Sequence, residues 1–360
     1  MRAANNLGLL IMDSLTLNGV TYSSKELKVL VSTSSDLREG YLRDFWSFIG
    51  EWYNDNDYVV VSTSGSTGKP KQLKVLKQHM VNSAHMTCSA LGLEHDDNAL
   101  LCLSTGYIAG KMMVVRAIVA GLNLTVIEPC GTPYIDKDYA FCAMVPMQVY
   151  NILTSSERMF SLSQVGKLII GGGPISADLR QEIEQLTVEC YSTYGMTETV
   201  SHIALRRLNG LHKQHSYHPF QGVTISLNSN GCLVIDAPSV CSSRLVTNDI
   251  AEIEEDGSFR ILGRLDNVIN TGGVKVIPEE VELKIGGCTT HSYAISSQPD
   301  ARLGEKVVLV IEGGMECLFY FDDVLTPYER PRRIVYVDKI PLTPNGKINR
   351  VALREILATL

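Results

Sequence analysis

The chain has 360 residues, 45% hydrophobic and 20% charged, the make-up of a globular protein with room for two or three domains, which excludes disordered and fibrous classes. A net charge of −7 offers no general attraction for nucleic acid or an anionic membrane, so a bound anion must meet a local positive site. No apolar run approaches the ~20 residues of a membrane helix. The apolar core within residues 1–13 is too short for a secretory leader, so a cytoplasmic protein is expected. Nine cysteines without a C-x-x-C pair read as reduced thiols rather than a zinc or disulfide framework.

In chain order, residues 15–22 predict a hairpin turning at Asn18-Gly19, and Ser23 a helix cap. Residues 37–53 predict a helix with Leu42, Phe45, Trp46, Phe48, Ile49 and Trp52 on one face. Then comes a strand pattern at residues 58–61 followed by Ser62-Thr63-Ser64-Gly65-Ser66-Thr67-Gly68-Lys69-Pro70-Lys71. Here backbone N–H groups, hydroxyl donors and two lysines can converge on one polyanion, so the stretch reads as a phosphate loop. It lacks the glycine spacing of a Walker A loop. A flexible linker is the alternative, and the preceding strand pattern and the lysines flanking Pro70 argue against it.

Residues 72–76 alternate like a strand, and residues 79–91 read as a helix ending at Gly92. Residues 100–104, 122–127, 141–145 and 167–170 read as buried strands, and Gly106 opens a helix reaching Ala120. This alternation predicts an α/β fold with a parallel sheet covered on both faces, and ligands at the carboxyl ends of its strands. One loop at such an end is Gly171-Gly172-Gly173, which admits a flat ligand or simply makes a tight strand-to-helix turn. Another, after a strand at 187–190, is Tyr194-Gly195-Met196-Thr197-Glu198. It puts a stacking aromatic, a hydroxyl and a metal-binding carboxylate close together, with a plain turn equally open. His212, His215 and His218 share a spacing of three, but no helix period, cysteine or carboxylate accompanies them.

From residue 223 the pattern becomes β-rich and predicts a small barrel or antiparallel sheet. Within it Thr247-Asn248-Asp249 stands just before a strand, where a carboxylate can accept ribose hydroxyls or merely close an Asx turn. Gly263-Arg264-Leu265-Asp266 reads as a boundary, giving an N-terminal domain of residues 1–264 and a small α+β domain of residues 265–360. The latter carries Gly272-Gly273 and, near its end, Lys347 on a turn, where a lysine is ordinarily just solvated.

Taken together, residues 62–71, 194–198, Asp249, 263–266, Gly272-Gly273 and Lys347 resemble, in order and spacing, the core motifs of the adenylate-forming superfamily. That superfamily holds acyl-CoA and aryl-CoA ligases, carrier-loading adenylation domains and luciferases. The resemblance implies a large N-terminal domain of parallel sheets flanked by helices, with a β-barrel-like part, and a small mobile C-terminal domain. It also implies a two-step reaction. A carboxylate attacks the α-phosphate of ATP and releases pyrophosphate, and the thiol of CoA then displaces AMP from the acyl-adenylate.

By matching motif positions, Ser62, Thr63, Ser64, Gly65, Ser66, Thr67, Gly68, Lys69 and Lys71 would hold the β- and γ-phosphates. Tyr194, Gly195 and Met196 would belong to the nucleotide site with Gly171, Gly172 and Gly173, the tyrosine and the glycines bordering adenine. Thr197 would meet the α-phosphate and Glu198 would bind Mg²⁺. Asp249 would take the ribose hydroxyls and Arg264 the ribose or phosphates, and Lys347 would bridge the carboxylate and α-phosphate. Asp266 matches a hinge about which the C-terminal domain turns, replacing Lys347 by the Gly272-Gly273 loop at the thiol channel.

The segment from Tyr107 through Gly110 and Lys111 to Arg116 is similar to the acid-pocket segment of o-succinylbenzoate-CoA ligases of menaquinone synthesis, in which an arginine follows the glycine by six residues. An arginine there suits an acid with two carboxylates, one activated and the other needing a fixed cation. A surface arginine paired with an acid is the plain alternative. Tyr107 departs from the histidine that most relatives carry. The roughly 60 residues before the phosphate loop imply a trimmed N-terminal subdomain. Another acyl- or aryl-CoA ligase and a free-standing carrier-loading domain compete within the enzyme class, as does a nucleotide-binding regulator outside it. Glu198 and Lys347 argue against the regulator. The expected partners are a small carboxylic acid, ATP and CoA, with no nucleic acid or membrane, and a homodimer is compatible with this reading.

Overall fold

The computed structural model describes residues 14–33, 40–62, 72–286, 291–313, 321, 323–343 and 347–360. Of the expected phosphate loop, residues 63–71 lie outside these. The chain forms two compact units, one of residues 1–171, 184–224 and 236–244, the other of residues 172–183, 225–235 and 245–360.

In the first unit, β1 (Ser14–Leu17) and β2 (Val20–Ser23) pair antiparallel. They turn at Asn18 and Gly19, whose φ angles of 50° and 82° are those the Asn-Gly turn favours. Ser23 and Glu26 cap α1 (Ser24–Thr33) reciprocally: the Ser23 N–H donates to Glu26 Oε2 at 2.7 Å and the Glu26 N–H to Ser23 Oγ at 3.3 Å. The next helix, α2 (Gly40–Trp52), buries four of the six residues of the expected face, Phe45, Phe48, Ile49 and Trp52, each contributing about 1.5–3 kcal/mol, and leaves Leu42 and Trp46 half-buried. A separate antiparallel hairpin of β3 (Tyr58–Ser62) and β4 (Gln72–Leu76), with Tyr58 opposite Leu76, follows.

Then come, in chain order, α3 (Lys77–Leu91), β5 (Asn98–Leu101), α4 (Ile108–Ala120), β6 (Asn123–Val126), β7 (Tyr139–Met144), α5 (Pro146–Thr154), β8 (Val165–Ile170), α6 (Ala177–Glu184), all but its last residue in the second unit, β9 (Glu189–Gly195), β10 (His202–Arg207) and β11 (His218–Pro219). The nine-stranded sheet runs β11-β10-β9-β8-β7-β5-β6-β1-β2. Its centre, from β1 to β9, is parallel, while β2, β10 and β11 are added antiparallel at its edges. Residues 110–119 of α4 are all buried, which explains its lack of a polar stripe. Among the described residues no helix is long and apolar enough to cross a membrane.

In the second unit, β12 (Thr224–Leu227), β13 (Cys232–Asp236), β14 (Leu245–Ile253) and β15 (Phe259–Arg264) form an antiparallel sheet in chain order. Asp249 lies inside β14 rather than before a strand, beside a bulge between Ile250 and Ala251. The end of the chain adds β16 (Ile269–Thr271), β17 (Val274–Val276), α7 (Pro278–Lys284), β18 (Tyr293–Asp300), β19 (Gly304–Glu312), β20 (Arg333–Val337) and α8 (Arg350–Ala358). Strand alternation divides this core. Val307, Leu309 and Ile311 pack with Val281 of α7, whereas Val308 and Val310 pack with Leu353 and Leu357 of α8. Gly272 and Gly273, with φ of 59° and 84°, make the turn between β16 and β17.

Candidate active site

Strand β9 runs through Tyr194 to Gly195, so the Tyr194–Glu198 motif begins on a strand and ends in a 3₁₀ turn at Thr197–Thr199. The buried Thr199 clamps that turn. Its Oγ accepts from the Met196 N–H at 3.0 Å and donates toward the carbonyls of Met196 and Ser201. Val200 follows with φ 67° and ψ −54°, and the Ser201 N–H donates to the Thr199 carbonyl at 2.7 Å. These describe a γ-turn of the rare strained hand, here at a β-branched residue. Gly195 is required on steric grounds, because a Cβ there would stand 2.3 Å from the Ser201 carbonyl and 2.5 Å from His202 Cα. The result is an exposed Glu198 carboxylate and a Thr197 hydroxyl that make no side-chain hydrogen bond among the described residues. An unengaged hard oxygen donor of this kind fits Mg²⁺, which takes few protein ligands beside substrate phosphates. At the end of β8, a Cβ on Gly171 would lie 2.3 Å from Thr193 Oγ1, and Gly172 has φ 83°. Gly172 is thus demanded by its backbone angle and Gly171 by the Thr193 side chain packed against it.

Four residues before the end of α4, Arg116 is buried. Its Nη2 donates to Ser201 Oγ at 2.9 Å, its Nε–H is buried without a partner, and no described carboxylate forms an ion pair with it. Burial lowers its pKa to about 10, so the group stays cationic at neutral pH. The neighbouring Cys88 is no counter-ion, because burial pushes its thiol up to about 11. His202 lies beside this cation with Nδ1 3.3 Å from Ser201 Oγ and Nε2 3.1 Å from Thr87 Oγ1. Burial first, and Arg116 second, hold its pKa well below the usual histidine range.

The depressed histidine has a stability consequence. In acid the unfolded chain binds a proton at His202 that the folded chain refuses, so stability present above about pH 6.5 is lost below it, at up to ~1.4 kcal/mol per pH unit. Denaturant titrations between pH 7 and pH 5 are expected to show a shallower decline for His202→Gln than for the parent chain. Parallel declines would show that His202 is not the group responsible.

Lys111 contrasts with Arg116. Its ammonium is 3.1 Å from Glu51 Oε2 and 4.6 Å from the centre of the Phe48 ring, so its charge is already met. Tyr107, just before α4, is exposed. A Cβ on Gly110 would come within 2.2 Å of the Ser104 carbonyl, which is why the first turn of α4 needs a glycine.

In the second unit, Arg264 Nη1 donates to Asp249 Oδ1 at 3.0 Å and Nη2 to Asp266 Oδ2 at 3.1 Å. Asn248 Nδ2 also reaches the Asp266 carboxylate, at 3.1 and 3.2 Å. One guanidinium therefore joins the expected ribose and hinge carboxylates. Lys347 stands on a turn closed by Thr343 N–H to Lys347 O at 2.7 Å and Lys347 N–H to Thr343 Oγ1 at 3.1 Å. The residue as a whole is exposed, yet its pKa lies below the usual lysine value. Crowding around the ammonium is the main cause, with Asp249 opposing and Arg264 reinforcing it. Asp249, Arg264 and Lys347 thus feel one another electrostatically. Residues 63–71 lie outside the described chain, and only Ser62, the last residue of β3, can be placed.

Sequence reasoning passed over Ser201, His202 and Thr87. The first two follow within four residues of Glu198 and were within reach as polar residues ahead of the apolar run Ile203 to Leu205, but Thr87 sits on α3 and only the fold brings it to His202. His212, His215 and His218 form no metal cluster, and none exists among the described residues.

Residues 25–238 match the model of the AMP-binding enzyme family. A probable 2-succinylbenzoate–CoA ligase of Mycobacterium tuberculosis is 27% identical, over 90% of this chain and 90% of that one. The crystal structure of an acyl-CoA synthetase (AMP-forming)/AMP-acid ligase II-like protein from Dyadobacter fermentans superposes with a TM-score of 0.63 at 36% identity, covering 90% of this chain and 97% of that one. The o-succinylbenzoate coenzyme A synthetase of Bacillus subtilis, in complex with ATP and magnesium ion, shares the fold at a TM-score of 0.69 and 20% identity, covering 82% of this chain and 69% of that one. With more than half of its length matching the family model, the chain belongs to the AMP-binding enzymes and is an ATP-dependent, AMP-forming ligase.

Proposed function

We propose that this enzyme joins a carboxylic acid carrying a second carboxylate to CoA by way of an acyl-adenylate, with 2-succinylbenzoate as the acid. The observation that carries the reading is Arg116: a buried cation with an unpartnered Nε–H and, among the described residues, no carboxylate to neutralise it. A cation kept at such a desolvation cost is explained when a substrate carboxylate supplies the missing charge. The curated relative named as a 2-succinylbenzoate–CoA ligase supports the choice of acid.

In this reading Glu198 binds Mg²⁺, which would screen the triphosphate against the incoming carboxylate, and Thr197 donates to the α-phosphate. Residues 62–71 hold the departing pyrophosphate. Tyr194, Gly195, Met196 and Gly171–Gly173 receive the adenine, Asp249 accepts the ribose hydroxyls and Arg264 orients Asp249. Lys347 places positive charge between the attacking carboxylate and the α-phosphate, the pair whose repulsion most opposes reaction. Residues 265–360 then turn about Asp266, withdrawing Lys347 and bringing Gly272-Gly273 to the thiol, with Tyr107, Gly110 and Lys111 on the acid side. Mass spectrometry of products from ATP, Mg²⁺, CoA and a panel of acids tests the substrate. o-Succinylbenzoyl-CoA is expected, and a different thioester in its absence would overturn the choice of acid.

A further inference from the structure

We propose that His202 and Thr87 are positioning residues that aim the Arg116 guanidinium through a one-way hydrogen-bond relay, and thereby set the preference for an acid with a second carboxylate. The inference rests on the reading of Arg116 as the partner of that carboxylate. Its ground is a series of contacts within the first unit. Arg116 Nη2 lies 2.9 Å from Ser201 Oγ, Ser201 Oγ 3.3 Å from His202 Nδ1, His202 Nε2 3.1 Å from Thr87 Oγ1, and Thr87 Oγ1 3.0 Å from the Ser83 carbonyl.

The two ends of the series are chemically fixed, because a guanidinium only donates and a carbonyl only accepts. Ser201 must accept from Arg116, which directs its own proton to His202 Nδ1. Thr87 gives its proton to the Ser83 carbonyl, so it must accept from His202 Nε2–H. Only the neutral imidazole with its proton on Nε2 completes the series. A ring protonated on both nitrogens would confront the Ser201 proton with another donor beside a cation. The low proton affinity of this buried histidine agrees with that requirement.

Rigidity at both ends makes the relay useful. Ser83 and Thr87 are successive turns of α3, Arg116 is on α4, and His202 opens β10 with its ring 5.4 Å from that of Phe220. The bond to Ser201 holds one edge of the guanidinium and leaves Nε unengaged. Loss of the relay would free the fork to rotate, and bidentate recognition of a carboxylate depends on its orientation.

The test uses the full-length enzyme with ATP, Mg²⁺ and CoA, measuring kcat and KM for 2-succinylbenzoate and for 4-oxo-4-phenylbutanoate, which lacks the ring carboxylate. His202→Phe and Thr87→Val are each expected to raise KM for 2-succinylbenzoate about tenfold, the scale of one lost hydrogen bond in a charged network. The KM for ATP, and turnover of the single-carboxylate analogue, should stay within about twofold of the parent. His202→Gln, which can accept through Oε1 and donate through Nε2, should recover most of the loss. The double variant should be no worse than the worse single one, because both break the same path. Equal loss for both acids, or unchanged KM in Thr87→Val, overturns the relay. Thr87→Val keeps the side-chain shape and decides the matter if the phenylalanine variant does not fold. Should Arg116→Met lose the two-carboxylate preference while Thr87→Val keeps it, the relay fails and the reading of Arg116 stands. An Arg116→Met enzyme with its preference intact removes both, as does a parent enzyme that does not turn over 2-succinylbenzoate.

Discussion

Replacing Lys347 with alanine is expected to slow adenylation by about 10²- to 10³-fold, the usual effect of removing one preorganised donor from a developing charge. Thioester formation from supplied acyl-adenylate should stay within a few-fold of the parent enzyme, because in the proposed cycle the lysine has left before the thiol attacks. The electrostatic coupling of Lys347 to Asp249 and Arg264 is what an adenylating arrangement requires, since those two carboxylate and guanidinium groups are assigned to the ribose. Pyrophosphate exchange measures the first step and single-turnover thioester formation the second. Comparable losses in both would refute the division of labour.

Arg116→Met is expected to act in opposite directions on binding and on stability. The kcat/KM for 2-succinylbenzoate should fall by about 10²- to 10³-fold, since an oriented charge-assisted contact is lost from a desolvated pocket. Unfolding free energy should rise by about 1–3 kcal/mol, because a buried cation with no anion beside it among the described residues is replaced by an apolar chain of similar length. A cation placed for structure alone would give the reverse, a less stable protein with unaltered acid kinetics. Thermal melts of the ligand-free enzyme, set beside initial rates, read both quantities. The trade-off is the familiar one in which a functional site keeps a group that the fold would be more stable without.

Much of this architecture could be read from local pattern. The Asn18-Gly19 hairpin, the Ser23–Glu26 cap, the apolar face of α2 and the Gly92 end of α3 depend on contacts within a few residues, and each formed where its signal stood. Other features needed the whole chain. Nothing local says that β10 and β11 join the parallel sheet antiparallel, since a buried strand reads the same in either direction. The helix α5, a nine-residue stretch with Pro146 at its start, escaped notice because its apolar residues run on from β7 without a polar break. Asp249 was expected at the edge of a strand and proved to lie within one, the bulge beside it hiding the alternation.

The candidate site divides along the same line. Residue types and spacing by themselves carry the resemblance to the adenylate-forming motifs, because Gly195, Thr197, Glu198 and Lys347 stand in short strings that can be read without knowing the fold. The tertiary structure alone decided what Arg116 and Lys111 are. Both sit on one apolar helix, and sequence cannot tell a cation with a partner from one without. Folding gives Lys111 the carboxylate of Glu51, whereas among the described residues Arg116 receives only a serine hydroxyl and, behind it, His202 and Thr87 from elements far apart in the chain. The physical reason is that the cost of burying a charge is set by everything packed around it, and that surrounding exists only once α3, α4 and β10 have come together.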